Sequence, residues 1–267
     1  WPLPSMALLA LTLALLAMTV ATTAMELIPM DMALDSFDDQ YQGCGPVMME
    51  ELPTLNRSEF QKNPVFAYIW PEAVKEWQSR GSPVYPLSSS AQAVAIMAYT
   101  MDGLYKQFND AVRVAGRSSQ EYRDNFHFKT LHFLLTDALA TLRAPPKEQI
   151  CHSVYRGVAK YKFEANVGDI VRFGQFTSSS LSEGVAKKFG RTTEFVVRTC
   201  HGAYIEAFSN FDDEEEVLIS PFEQFEVTNI IDYGAKVRIH LNSIGIYSKY
   251  NCEWLKGGDS LGPWGHS

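Results

Sequence analysis

The hydrophobic pattern of this chain changes period at Cys151, and that change limits the fold more than any other feature. Before it, apolar residues recur at intervals of three and four. Ser90 to Val114 carries Val94, Met97, Met101, Leu104 and Phe108 on one helical face, and Gly116 stops the run. Ser118-Ser119-Gln120-Glu121 then reads as a capping box, in which Ser118 and Glu121 satisfy the first free amides. The helix it opens carries Phe126, Leu131, Leu134, Leu135 and Leu139 and ends before Pro145-Pro146. A shorter helix is expected from Pro71 to Gln78. After Cys151 the runs are short and rich in β-branched and aromatic residues: His152–Arg156, Asp169–Phe173, Glu194–Arg198, Ala203–Phe208, Gln224–Thr228 and Lys236–Leu241. One helix interrupts them near Ser182 to Phe189. The expected class is α+β, a helical N-terminal part packed on an antiparallel β part. The 267 residues contain no repeat and no low-complexity linker, and suit one large domain or two closely packed ones.

The first 24 residues stand apart from that pattern. They carry no charge, and an apolar run from Met6 to Ala17 is followed by Ala21-Thr22-Thr23-Ala24. An apolar stretch of roughly a dozen residues ending in small ones reads as a secretory signal rather than a membrane span. The expected organisation is therefore a signal over 1–24 and a single domain over 25–267. Within that domain, about 25–150 is mainly helical, 151–252 mainly β and 253–267 a tail. Export makes the cysteines legible: Cys44, Cys151, Cys200 and Cys252 form an even set without metal spacing, so two disulfides are expected, in any of three connectivities. Asn56-Arg57-Ser58 is an acceptor sequon for glycosylation. The glycine-rich stretch from Gly257 to Ser267 lacks the hydrophobic tail of a lipid-anchor signal. A secreted or extracellular protein with no stable membrane anchor is expected. Its net charge of −8 gives no footprint for nucleic acid.

Common catalytic signatures are missing. There is no GxSxG elbow, no HExxH, no GxGxxG and no phosphate loop, and the six histidines are scattered, so no metal site is expected. A lone helical histidine such as His132 reads as structural. Three stretches of the β part carry chemistry instead. Tyr155-Arg156-Gly157 sets an arginine, whose donor fork matches phosphate oxygens, beside a glycine that lets a ligand approach the backbone. In Phe173 to Ser180, hydroxyls cluster where a strand hands over to a helix, and Ser180 with Glu183 fits a capping box. Asp212-Asp213-Glu214-Glu215-Glu216 runs straight into the apolar Val217-Leu218-Ile219. In a strand, Glu214 and Glu216 would project the same way roughly 7 Å apart, with Glu215 opposite.

Together and in this order, Val154-Tyr155-Arg156-Gly157-Val158, Val171 to Leu181 and Glu214 to Ile219 resemble the R-S-E family of mono-ADP-ribosyltransferases, nearest to the vertebrate arginine-specific ecto-enzymes. The likeness runs from about Cys44 to Cys252. It implies a helical part on a β-sandwich whose cleft binds NAD in a bent form, with NAD or NADP as co-substrate and no permanently bound cofactor. Arg156 corresponds to the arginine that holds the NAD phosphates. Ser178 orients the ribose and the catalytic glutamate, Glu216 is that glutamate, and Glu214 binds and activates the acceptor guanidinium. By the same likeness Tyr99, Gly157, Gln175 and Ser209 touch NAD, and Phe189 stacks on nicotinamide. The likeness also implies the pairings Cys44–Cys252 and Cys151–Cys200. The expected activity is transfer of ADP-ribose from NAD to arginine in acceptor proteins or to small guanidines. Two alternatives are an NAD glycohydrolase, disfavoured by a glutamate at 214, and a non-catalytic binding protein, disfavoured by intact Arg156, Ser178 and Glu216.

Overall fold

A computed structural model describes residues 26–143 and 151–260. The expected signal over 1–24, the Pro145-Pro146 stop and the end of the tail lie outside the described residues. After a short strand β1 (Glu26–Pro29) the chain forms six helices: α1 (Gly45–Lys62), α2 (Pro64–Ser79), α3 (Ser90–Thr100), α4 (Leu104–Ala115), α5 (Ser119–Asn125) and α6 (Lys129–Arg143). The β part follows as β2 (His152–Val158), β3 (Tyr161–Glu164), β4 (Ile170–Val171), β5 (Thr177–Ser180), α7 (Glu183–Ala186), β6 (Thr193–Thr199), β7 (Ala203–Tyr204), β8 (Glu216–Ile219), β9 (Glu223–Asp232) and β10 (Val237–Ile246).

The helical boundaries differ from expectation for identifiable reasons. The run from Ser90 to Val114 is two helices, because Gly103 takes a φ of +97° as the N-cap of α4. α3 is capped by a Ser89–Gln92 box and is buried along almost its whole length, so Val94 and Met97 do not mark one buried face. The second predicted helix is also divided. Ser118 caps α5, its hydroxyl accepting from the Glu121 N–H, while the Glu121 carboxylate of the expected box accepts instead from Asn125 Nδ2 at 2.8 Å, and α5 ends at Asn125. α6 starts afresh under a distant cap: the buried Glu59 carboxylate of α1 accepts from the N–H groups of Lys129 and Thr130 at 2.5 and 3.0 Å. The helix read as Pro71–Gln78 is the second half of α2, which begins where Asn63 caps Phe66 at 3.0 Å and Pro64 occupies the first turn. α1 was not anticipated. It contains Pro53 and buries only Met48, Leu52, Leu55 and Glu59. The sequon residue Asn56 lies within α1, half-buried, with its Oδ1 buried and unpaired.

Among the described residues, eight strands share one hydrogen-bonded order, β4-β9-β10-β6-β2-β5-β8-β7, and β1 pairs with β3 in parallel apart from them. The pairs of the larger sheet are antiparallel except β6 with β10, which is parallel. A single register pair, Tyr155 with Ser180, joins β2 to β5. The strand expected over Ala203–Phe208 is only β7, since Glu206–Phe208 turns as a 3-10 helix. One apolar core fills the helical layer and takes in Phe176, Ala203, Ile205, Phe208 and Leu218 from the sheet side, which seats the helices directly on β5, β7 and β8. A second core, built on Val154, Phe195, Val197, Phe225 and Ile239, lies within the β part.

The two ends of the described chain are tied together. Cys44–Cys252 and Cys151–Cys200 are bonded, as the resemblance implied. The buried Asp38 pairs with the buried Arg172 at 2.7 Å, and Asp39 accepts from the N–H groups of Tyr41, Cys252 and Glu253. His132 sits in the same region, fully buried. Its Nδ1 lies 2.8 Å from the Tyr41 hydroxyl and its Nε2 3.1 Å from the Phe37 carbonyl. Burial pushes its pKa down to about 3, so the neutral ring donates to Phe37 and accepts from Tyr41. An unfolded histidine titrates near 6.5. Between those values the unfolded chain binds more protons, so stability falls as pH drops from about 6.5 toward 3. Thermal melts between about pH 7 and pH 4 are expected to fall more steeply for the wild type than for His132→Gln. Equal slopes would contradict the neutral assignment.

Candidate active site

β5 and β8 bring the predicted serines and glutamates together by register. Ser180 lies opposite Glu216 and Ser178 opposite Leu218, so Ser178 is the diagonal neighbour of Glu216 on the same face. Glu216 opens β8 and is only 3% exposed. Its Oε2 accepts from the Ser209 hydroxyl at 2.8 Å. Burial raises its pKa above the ordinary carboxylate range, and the hydroxyls of Ser178 and Ser209 and the Arg156 charge draw it back down. Arg156 comes from β2 and donates from Nη1 to the Ser178 carbonyl at 2.7 Å. Burial lowers its pKa, while Tyr99, Tyr105 and Glu216 pull it upward, and a guanidinium in this setting stays charged.

The acidic run is not the extended strand expected from alternation. β8 begins only at Glu216, and Glu215 takes a φ of +46°, a left-handed conformation that costs a residue with a Cβ about 1–2 kcal/mol. The shared-face argument for Glu214 and Glu216 therefore does not apply. The turn is instead held by two bonds to the serine strand, with the Ser180 hydroxyl donating to the Glu214 carbonyl at 2.6 Å and the Leu181 N–H to the Glu215 carbonyl at 3.1 Å. Ser180 is thus a brace, and the cap of α7 is Ser182. Glu214 is half-buried and still senses Glu216: burial raises its pKa, and the charges of Glu216 and Asp213 raise it further against Lys188.

The remaining expected contact residues divide by exposure. Phe189 is 55% exposed and free to meet a ligand. Tyr99 is buried, and its hydroxyl donates to the Phe176 carbonyl at 3.1 Å, next to a 3.0 Å bond from Asn109 Nδ2 to the same oxygen. Ser209 is fully buried against Glu216. Both are held in place by these bonds next to Glu216 and the residues that lead into β5. Gly157 is explained by packing: a Cβ there would lie 2.3 Å from the carbonyl oxygens of Ala186 and Gly190, so the space beside it belongs to the α7 segment. Gln175 is half-buried, with its Oε1 buried and unpaired, a free acceptor near the head of β5. Asn109, Arg80 and Thr100 also brace this region. Their sequence surroundings carry no motif, since each acts through backbone groups of a distant segment.

The arrangement amounts to a buried carboxylate whose charged form is favoured by two hydroxyls and a guanidinium, with a second carboxylate close enough to feel its charge. A family model described as NAD:arginine ADP-ribosyltransferase matches residues 30–249 of this chain. The chain belongs to the NAD:arginine ADP-ribosyltransferase family. Chicken erythroblast NAD(P)(+)–arginine ADP-ribosyltransferase is 51% identical over 234 residues, covering 86% of this chain and 77% of the relative. The human GPI-linked NAD(P)(+)–arginine ADP-ribosyltransferase 1 is 45% identical over 245 residues, covering 86% and 75%. The crystal structure of the eucaryotic mono-ADP-ribosyltransferase ART2.2 superposes with a TM-score of 0.72 at 38% identity, over 84% of this chain and 98% of that one. A variant of ART2.2 has been solved in complex with NAD. The α+β architecture described above is that of the ADP-ribosyltransferase family, and enzymes of this family use NAD as a substrate.

Proposed function

We propose that this chain transfers ADP-ribose from NAD to the guanidinium of arginine in acceptor proteins, releasing nicotinamide. The observation that carries the reading is the pairing of a buried Glu216, bonded to Ser209 and flanked by Arg156, with a half-buried Glu214 whose pKa is raised by burial and then by the Glu216 charge. Cleavage of the bond between ribose and nicotinamide builds positive charge on the ribose, as in glycoside cleavage. Nicotinamide departs with the bonding electron pair. A carboxylate already in place beside that charge favours the transition state over the ground state, which is the role proposed for Glu216. Arg156 holds the pyrophosphate, a task suited to a fixed donor fork, and Ser178 orients the ribose.

The acceptor nitrogen then bonds to the ribose carbon. A guanidinium is protonated at ordinary pH and must lose a proton to attack, and Glu214 takes it. The raised pKa of Glu214 suits that exchange better than an ordinary surface carboxylate would. Phe189 is the proposed contact to nicotinamide, and Tyr99, Gly157, Gln175 and Ser209 are the further proposed contacts to NAD. Mass spectrometry of an arginine-containing acceptor peptide incubated with enzyme and NAD tests the reading. The mass of ADP-ribose on the arginine side chain is expected, and modification confined to other residues, or none with several such peptides, would overturn it.

The proposed place of action is outside the cell, within a domain spanning 25–267. Two disulfides require an oxidising compartment. No helix among the described residues is long and apolar enough to cross a membrane. The GPI link in the name of the human relative is an outer-surface attachment, which agrees with an extracellular site while leaving release from the surface as the reading of the sequence alone.

A further inference from the structure

Ser209, the residue bonded to Glu216, leaves a single 3-10 turn and enters the acidic run from Asp212. So short a turn does not by itself fix a serine against a buried carboxylate. The helical layer does so from outside. Arg80, the C-cap of α2, donates from Nη1 to the Ser209 carbonyl at 2.8 Å and from Nη2 to the Asn210 carbonyl at 2.9 Å. Its Nε is held by Glu76 Oε1 at 2.7 Å, which sets the plane of the fork. Thr100, the last residue of α3, accepts from the Asn210 N–H at 2.8 Å, and its hydroxyl points to the Ile96 and Met97 carbonyls at 3.0 Å each. The Ser209 hydroxyl in turn accepts from the Phe211 N–H at 3.1 Å. Two consecutive carbonyls and one amide of the turn are thereby pinned by side chains of two different helices.

We propose that Arg80, together with Thr100, is a positioning residue for glycosyl transfer: it fixes the 209–210 turn so that Ser209 stays bonded to Glu216. The proposal rests on the reading of Glu216 as the carboxylate that stabilises the transition state. Neither residue touches the reacting atoms; both act on the backbone that carries Ser209. The groups facing Glu216 are Arg156 from β2, Tyr99 from α3, Ser178 from β5, Ser209 from the turn, and Glu214 from the segment before β8. When the turn loosens, Glu216 keeps its burial and loses a donor that stabilises its charged form. Protonation then begins at higher pH, and the acid limb of turnover moves upward.

The experiment measures nicotinamide release across pH, at saturating NAD with a small arginine analogue, for the wild type, Arg80→Gln, Arg80→Lys, Thr100→Val and Thr100→Ser. Rates are normalised to folded enzyme from thermal melts. Arg80→Gln and Thr100→Val are expected to lose about tenfold in kcat, with KM for NAD changed less than about twofold and the acid limb displaced upward. Arg80→Lys, which can reach one carbonyl at a time, falls between, and Thr100→Ser restores the wild-type limb. A merely structural role would lower the melting temperature and leave the limb where it was, which overturns the proposal. Should Arg80→Gln fail to fold, Thr100→Val carries the same prediction and the same refutation. Wild-type enzyme that releases no nicotinamide would overturn the reading of Glu216 itself and the proposal with it. Wild-type turnover with unchanged kcat and limb in both variants would overturn the positioning role alone.

Discussion

Glu216→Gln is expected to slow nicotinamide release by about 10²–10³-fold or more, the scale of losing a preorganised charge-stabilising group. It is expected to do so without unfolding the protein. The folded-state pKa of Glu216 is raised, chiefly by burial, so the stability that group contributes is fully present below its unfolded pKa and is lost as pH rises through its folded value. Near neutral pH the charge therefore works against folding, and removing it relieves that cost. The glutamine oxygen can still accept from the Ser209 hydroxyl, so the bond that orders the turn survives. A variant nearly inactive in nicotinamide release, with a melting temperature equal to or above that of the wild type, is the predicted result. A sharp fall in melting temperature would mean that Glu216 holds the fold together, and the loss of activity would then say nothing about chemistry.

Glu214→Gln divides the reaction. Transfer to arginine is expected to fall by about 10²–10⁴-fold, the contribution typical of a general base. Nicotinamide release to water is expected to persist, because Glu216, Ser178 and Arg156 remain in place. The two carboxylates differ in setting as this division requires. Glu216 is buried at the head of β8, whereas Glu214 is half-buried at the end of an exposed acidic run. The pH dependence carries the same sign: as pH falls through the raised pKa of Glu214, transfer should decline, since its carboxylate can no longer take the guanidinium proton. Measuring both products in one reaction decides it. Equal loss of transfer and release in Glu214→Gln would refute separate roles.

Much of the candidate site was legible because its proposed residues lie in contiguous segments. Arg156, Ser178 and Glu216 each lie in a short run, and the β5–β8 register makes the last two diagonal neighbours on one face. The geometry of the acidic run was not legible. Alternation predicts a strand through Glu214, but Glu215 reverses the backbone at positive φ, and the bonds that hold it there come from Ser180 and Leu181 more than thirty residues away in sequence. The helical boundaries failed for the same reason. α6 is capped by Glu59 across the fold, a start signal with no local counterpart, whereas Ser118 over α5, a local cap, was read correctly. Arg80 and Thr100 left no trace at all, since a side chain that grips a distant backbone is not encoded in the residues around it. The disulfide pairing likewise could not come from counting. It came with the resemblance, and the structure forms both predicted bonds.

The most direct test of the account follows nicotinamide release and ADP-ribose incorporation together, with wild-type protein and NAD, in the presence and absence of a small arginine analogue. Release that rises with the acceptor and matches the ADP-ribose found on its guanidine is the predicted result. Release indifferent to the acceptor, with no labelled guanidine, would make the protein an NAD glycohydrolase and contradict the role given to Glu214.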